Sequence, residues 1–150
     1  MTHLVFFLEE PSAKELLQGI LPKVLPEQCT TQFVVFEGKQ DLEKRLPMRL
    51  RAWQQPESRF IVLRDQDSGD CTIIIRAIGP QRLAKQDRSA KYRDPDRLVN
   101  AAQELKRLAP SYQKVSGSRA ISRELNPSRN RSRSFNALIS GIQRLAGAEL

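Results

Sequence analysis

The stretch Leu4-Val5-Phe6-Phe7-Leu8-Glu9-Glu10-Pro11 decides how this chain is read. An unbroken apolar run that stops at two carboxylates and a proline describes a strand buried on both faces, ending abruptly at solvent. Helices therefore have to cover it on both sides. The residues that follow supply them. Ser12 and Glu15 have the spacing of a capping box, and Leu16, Leu17, Ile20 and Leu21 make a helical stripe that Pro22 and Pro26 end. Thr31-Gln32-Phe33-Val34-Val35-Phe36 is β-branched and aromatic, a second strand, and Glu37-Gly38-Lys39 turns the chain. Leu42, Leu46, Leu50 and Trp53 predict a helix over 40–53, kinked or split at Pro47. Phe60-Ile61-Val62-Leu63 is the third strand.

Two βαβ units in succession predict an α/β fold: a Rossmann-like, mostly parallel sheet flanked by helices, with its strand C-termini on one edge. Open α/β sheets place their ligands at that edge. Glu9, Glu10 and Glu37 fall there, and so does Asp65-Gln66-Asp67-Ser68-Gly69-Asp70, directly after the third strand. Carboxylates converging from separate strands repel one another unless a divalent cation neutralises them. Asp65 and Asp67 are two residues apart, so an extended backbone points both to one side. Gly69 permits a tight turn, and Asp70 is placed as an outer ligand. The set Glu9, Asp65, Asp67 and Asp70 thus reads as a magnesium or manganese site suited to orienting a phosphate and activating water. Glu9 and Glu10 are adjacent and point different ways, so both stay candidates for ligand or catalytic base. A solvated Asp-rich turn is the plainer alternative.

Beyond Cys71, Thr72–Ile78 is read as a fourth strand ended by Gly79-Pro80, and residues 81–93 are polar without clear period. Helices are expected at about 95–109, on Leu98, Ala101, Ala102, Leu105 and Leu108, and at 134–146, on Phe135, Leu138, Ile139, Ile142 and Leu145. The chain divides into an α/β core, 1–78, and a basic, mainly helical part, 79–150, packed on the same domain. Residues 1–75 carry 9 Lys and Arg against 11 Asp and Glu, a net of −2, and residues 76–150 carry 16 against 6, a net of +10. An acidic edge joined to a basic half is what a metal-dependent protein acting on a polyanion needs. Within the basic half, Lys114, Ser116, Ser118 and Arg119, with Arg129, Arg131 and Arg133, are candidate phosphate-binding residues, joined by Lys39 from the turn after the second strand. The alternative for 111–133 is a solvated connector. Tyr112 and Phe135 are the only aromatics near these cations, which disfavours base stacking. Lys91–Arg97 mixes signs and reads as a helix entry held by local ion pairs.

Several classes fall away. Cys29 and Cys71 have no CxxC spacing and His3 is the only histidine, which argues against zinc and against histidine-based triads. No apolar run approaches the roughly 18 residues of a membrane span. The N-terminus lacks the basic segment of a signal peptide, so a reduced cytoplasmic protein is expected.

Five segments carry a resemblance to a known family: Glu-Glu-Pro-Ser-Ala-Lys-Glu (9–15), Phe-Glu-Gly-Lys-Gln-Asp-Leu (36–42), Leu-Arg-Asp-Gln-Asp-Ser-Gly-Asp-Cys (63–71), Tyr-Arg-Asp-Pro-Asp-Arg-Leu (92–98) and Tyr-Gln-Lys-Val-Ser-Gly-Ser-Arg-Ala-Ile (112–121). They resemble a bacterial domain-of-unknown-function family placed among the Toprim-like proteins, over nearly the whole chain. The resemblance implies a Toprim-like fold in which a strand-end Glu, here Glu9 or Glu10, and a later DxD, here Asp65 and Asp67, hold magnesium for nuclease-type phosphoryl transfer on nucleic acid. It also implies an ATPase partner in mobile-element or phage defence. One departure stands out. Family members carry a longer middle section with a further Glu-Leu-Glu motif, and no such pair lies between residues 71 and 103 here. The chain resembles an internally shortened member, and a non-catalytic module binding nucleic acid or a partner stands as the alternative. A strand lost with that section would expose a sheet edge and favour oligomerisation.

Overall fold

The computed structural model describes residues 1–64, 94–97 and 101–147. Strands β1 (His3–Leu8), β2 (Thr30–Val35) and β3 (Ser58–Leu63) form one parallel sheet in the order β2-β1-β3. Helix α1 (Pro11–Ile20) connects β1 to β2, and α2 (Lys39–Arg51) connects β2 to β3. Helices α3 (Ala101–Leu108), α4 (Lys114–Glu124) and α5 (Arg133–Ala146) follow. This is an α/β, Rossmann-like arrangement. The acidic loop 65–70, the expected strand 72–78 and the polar stretch 81–93 lie outside the described residues.

The apolar run that opened the reading is the central strand, and Leu4, Val5, Phe6, Phe7 and Leu8 are all 0% exposed. The two crossovers step to opposite sides of β1, so crossovers of one hand must run over opposite faces. Side chains divide accordingly. Leu4, Phe6 and Leu8 pack with Leu17 and Leu21 from the α1 side and with Ile142 and Ala146 of α5. Val5 and Phe7 pack with Phe36 and Leu42, rimmed by Leu46 and Trp53. Each such fully buried side chain contributes about 1.5–3 kcal/mol.

The structure departs from the sequence reading at three places. Glu10, not Ser12, is the N-cap of α1, because Pro11 sits at the first helical position with its φ already fixed. Ser12 is buried inside the helix, and Glu15 reaches another helix rather than back to a cap. Second, α2 is not split at Pro47 but continues through it; Pro47 is exposed, so the carbonyl one turn earlier can bond to water. Third, half of the expected connector 111–133 is α4. This helix lies against α1 through small residues: a Cβ on Gly19 would fall 2.0 Å from Ser122 Oγ. Ile121 and Leu125 join Ile20 and Ile139 in a second layer of core.

Candidate functional site

The acidic edge is built by the end of β1. Leu8 pairs with Val35 on one side and Leu63 on the other. One residue on, the Glu9 N–H donates to the Leu63 carbonyl at 3.3 Å, and the Glu9 carbonyl accepts from the Gly38 N–H at 3.0 Å. Glu9 therefore bridges the ends of β2 and β3 at the point where the strand order reverses, the place at which α/β sheets open a ligand crevice. Gly38 has φ +102°, a conformation that suits glycine, and this starts α2 at Lys39 on the same edge. Lys39 is exposed and makes no ion pair among the described residues.

Glu10 stands at the start of α1 with its carboxylate in an ion pair with Lys114 Nζ, and it remains 30% exposed. Lys114 is the first residue of α4, so the basic half delivers one cation and a helix N-terminus to the acidic edge. The amides of Lys114, Val115 and Ser116 precede the first intrahelical bond, made by the Gly117 N–H to the Gln113 carbonyl at 2.7 Å. The remaining predicted residues of this segment stand elsewhere. Ser116 and Ser118 lie within α4 rather than in a loop. Arg119 lies further along it, forming a two-pronged pair with Glu15 of α1 at 2.6 and 2.8 Å. That contact holds the Glu15 carboxyl below its ordinary value and raises the Arg119 guanidinium above its own. Arg119 thus fastens two helices together.

Arg129, Arg131 and Arg133 are exposed and flank the start of α5. The N-terminus of that helix is filled by a residue the sequence reading had assigned to local pairing. Asp96 Oδ1 accepts from Ser132 Oγ at 2.7 Å and Ser134 Oγ at 2.8 Å, while Oδ2 accepts from the N–H groups of Arg133 at 2.8 Å and Ser134 at 3.2 Å. The Ser132 hydroxyl first, and then the Ser134 hydroxyl and the two amides, hold the Asp96 carboxyl below its usual range. Ser132, fully buried, also caps the helix by accepting from the Phe135 N–H at 3.1 Å. A carboxylate of the chain itself thus occupies the amides and hydroxyls at the start of this helix, beside the candidate phosphate-binding residues Arg131 and Arg133. Of the local ion pairs expected over Lys91–Arg97, the described residues hold Asp94–Arg97, at 3.3 Å; Lys91, Tyr92 and Arg93 lie outside them. The spacing Ser132-x-Ser134 ahead of an apolar stripe was the one sequence signal for this cap, and its acidic partner lies 36 residues earlier.

Asp65, Asp67 and Asp70 lie outside the described residues, so the edge is defined from Glu9, Glu10, Lys39 and Lys114. Among the described residues no group of three or more His, Cys, Asp or Glu side chains is placed to hold a metal ion. Glu9 and Glu10 are hard oxygen donors of the kind magnesium prefers, but Lys114 neutralises one of them, so a cation at this edge needs donors from beyond Arg64. Arg64 itself turns to α2, pairing with Glu43 at 2.9 Å. Among the described residues no helix is long and apolar enough to cross a membrane. No family model, curated protein or solved structure matches this chain, so function has to be read from the residues themselves.

Proposed function

We propose that the chain is a Toprim-like, magnesium-dependent phosphoryl-transfer protein of nuclease type acting on nucleic acid. The observation that supports this reading best is the position of Glu9, held between the ends of β2 and β3 at the reversal of strand order, with Lys114 of the basic half docked beside it on Glu10. Asp65 follows β3 by two residues, so the acidic loop leaves the sheet from the strand whose end Glu9 bonds. In this reading Glu9, Asp65 and Asp67 hold Mg²⁺ or Mn²⁺, with Asp70 as an outer ligand. The bound ion would orient the phosphate and lower the pKa of water. Lys114 and Lys39 would meet phosphate oxygens at the same edge, and with Glu9 on the ion the carboxylate of Glu10 would take the proton of the attacking water as the bond from phosphorus to the leaving oxygen breaks. The ATPase partner implied by the family resemblance belongs to this reading.

A second reading has its own observation. Glu10 is already paired with Lys114, so one carboxylate of the edge is neutralised without a metal ion, which favours a shortened relative that lacks the Glu-Leu-Glu motif and serves as a binding module. Calorimetric titration of Mg²⁺ and Mn²⁺ into the protein and into the Asp65→Asn/Asp67→Asn double variant separates the two. Saturable binding lost in the variant is the expected result. Absence of saturable binding in both proteins overturns the metal reading and leaves the binding module.

A further inference from the structure

A cleft of about 810 Å³ opens where the end of α4 meets α5, lined mainly by residues of the basic half. Its volume is in the range of small-molecule sites. Lys23 lines it but is occupied: Nζ donates to the carbonyls of Ser122, Arg123 and Leu125, each at 2.9 Å, which uses its three protons to close the end of α4.

Four amide side chains in the lining are each anchored at one end; one of them, Asn130, accepts from the Ser132 N–H at 2.8 Å through Oδ1, and its buried Nδ2 has no partner among the described residues. Asn126 Oδ1 accepts from the N–H and the hydroxyl of Ser128, at 3.1 and 2.7 Å, which leaves its NH₂ group as a donor. Asn136 Nδ2 donates to the Asn130 carbonyl at 3.0 Å, leaving Oδ1 as an acceptor. Gln143 Nε2 donates to the Val24 carbonyl at 3.3 Å, leaving Oε1 as a second acceptor. Anchoring removes rotamer freedom before a ligand arrives, so less is lost on binding. Val24 and Ile139 give the cleft apolar wall, and Arg123 lines it as a cation next to the carboxylate of Glu124.

Neighbouring donors and acceptors at an apolar wall, with a guanidinium in the lining, match one ligand chemistry closely. A nucleobase has a flat apolar face and an edge on which donors and acceptors alternate, and its sugar carries a phosphate. We propose that this cleft takes an unpaired base of single-stranded nucleic acid, its edge bonded by Asn126, Asn136 and Gln143 and its phosphate met by Arg123. This rests on the reading of nucleic acid as the substrate, and it narrows that substrate to strands with exposed base edges. It also accommodates the scarcity of aromatics in the basic half, since amides at an apolar wall replace stacking.

The test is fluorescence anisotropy with labelled DNA and RNA strands of roughly 12 nucleotides, each single-stranded and as a duplex, at fixed salt. Two variants are compared with the parent: Asn136→Ala/Gln143→Ala, which removes both acceptors, and Ser140→Phe, which fills the cleft from α5. The expected result is preference for single strands, weakened about tenfold or more in each folded variant without change in salt dependence. Parent-like binding by both variants overturns the proposal, and so does a parent that prefers duplex or binds neither form. The metal titration at the acidic edge reads a different set of residues. Loss of the cleft proposal therefore leaves the metal reading standing, and cleft-dependent binding without metal binding leaves the non-catalytic module.

Discussion

The two faces of the sheet receive the same strand and cover it differently. Over Leu4, Phe6 and Leu8 lie α1 and α5, with α4 behind α1. Over Val5 and Phe7, the described cover is α2 with Phe36 and Trp53. The first face is assembled from residues far apart in sequence, with Glu10–Lys114 and Glu15–Arg119 each spanning 104 positions. The second draws on a nearer set of rings: Phe7 has Phe36, Trp53 and Phe60 within centroid distances of 6.1, 6.0 and 5.9 Å. On that side Phe60 and Val62 remain 37% and 44% exposed. Equal burial along β1 therefore hides unequal support, one side held by long-range docking and the other by a compact aromatic cluster.

The largest effect should separate the faces directly. Phe6→Ala opens a cavity under two packed layers that cannot readily collapse, and we expect a loss of about 4–5 kcal/mol in urea unfolding. Phe7→Ala should cost about 3 kcal/mol, because α2, the helix that covers it among the described residues, and the partly exposed rings can close on the space. Equal costs, or the reverse order, would break the comparison.

A glycine pair gives the next effect, with opposite signs. On Gly19, a Cβ would meet Ser122 Cβ at 2.4 Å as well as Oγ at 2.0 Å, and Ser122 is itself buried, so α1 and α4 must separate. Gly19→Ala should lower stability by about 1–2 kcal/mol despite its better helix propensity. At Gly141 of α5 a Cβ meets nothing within 4 Å, and Gly141→Ala should raise stability by up to about 1 kcal/mol. Thermal melts followed by circular dichroism read both. A stabilised Gly19→Ala would show that the α1–α4 contact is looser than described.

The smallest effect tests the α5 cap. The Asp96 carboxyl titrates below its ordinary value of 3.8 in the folded chain, so its contribution is complete above that pH and is lost as pH falls through the folded value. Asp96→Asn should lower stability slightly at neutral pH, by under about 1 kcal/mol because the carboxylate is open to solvent. The gap between parent and variant should close as the solution is taken below the ordinary aspartate range. A gap independent of pH would mean that charge is not what holds the cap.

Legibility in the sequence followed the same division. β1, β2, β3 and the helices between them were readable because each writes its own period in apolar residues, to within a residue or two at the ends. Helix α4 was not, because its buried residues are Ile121 and Ser122, and a serine packed against Gly19 leaves little apolar signal. A Cβ on Gly117 would even meet the Tyr112 ring at 2.0 Å. The capping pattern of Ser12 and Glu15 was overridden by Pro11 and by a partner in α4 that local spacing cannot reveal. At the candidate site the sequence located Glu9 and Glu10 at the sheet edge and named Lys114. It could not say that Lys114 would meet Glu10, nor that Asp96 would fill the start of α5, since both pairings depend on helices docking from a distance.

The fastening of α4 at both ends also sets an order of events during synthesis. Glu10 and Glu15 hold its beginning and middle, and Lys23 closes its end, all three from the segment around α1, which is made well before α4. At about 5–20 residues per second, the 104 positions between Glu15 and Arg119 take roughly 5–20 s to make. Throughout that interval the outer side of α1, with Leu16 and Ile20, waits without the helix that covers it. The nascent chain therefore passes through a stage in which an apolar flank of α1 is open to chaperones or to other chains, and translation speed determines how long that stage lasts.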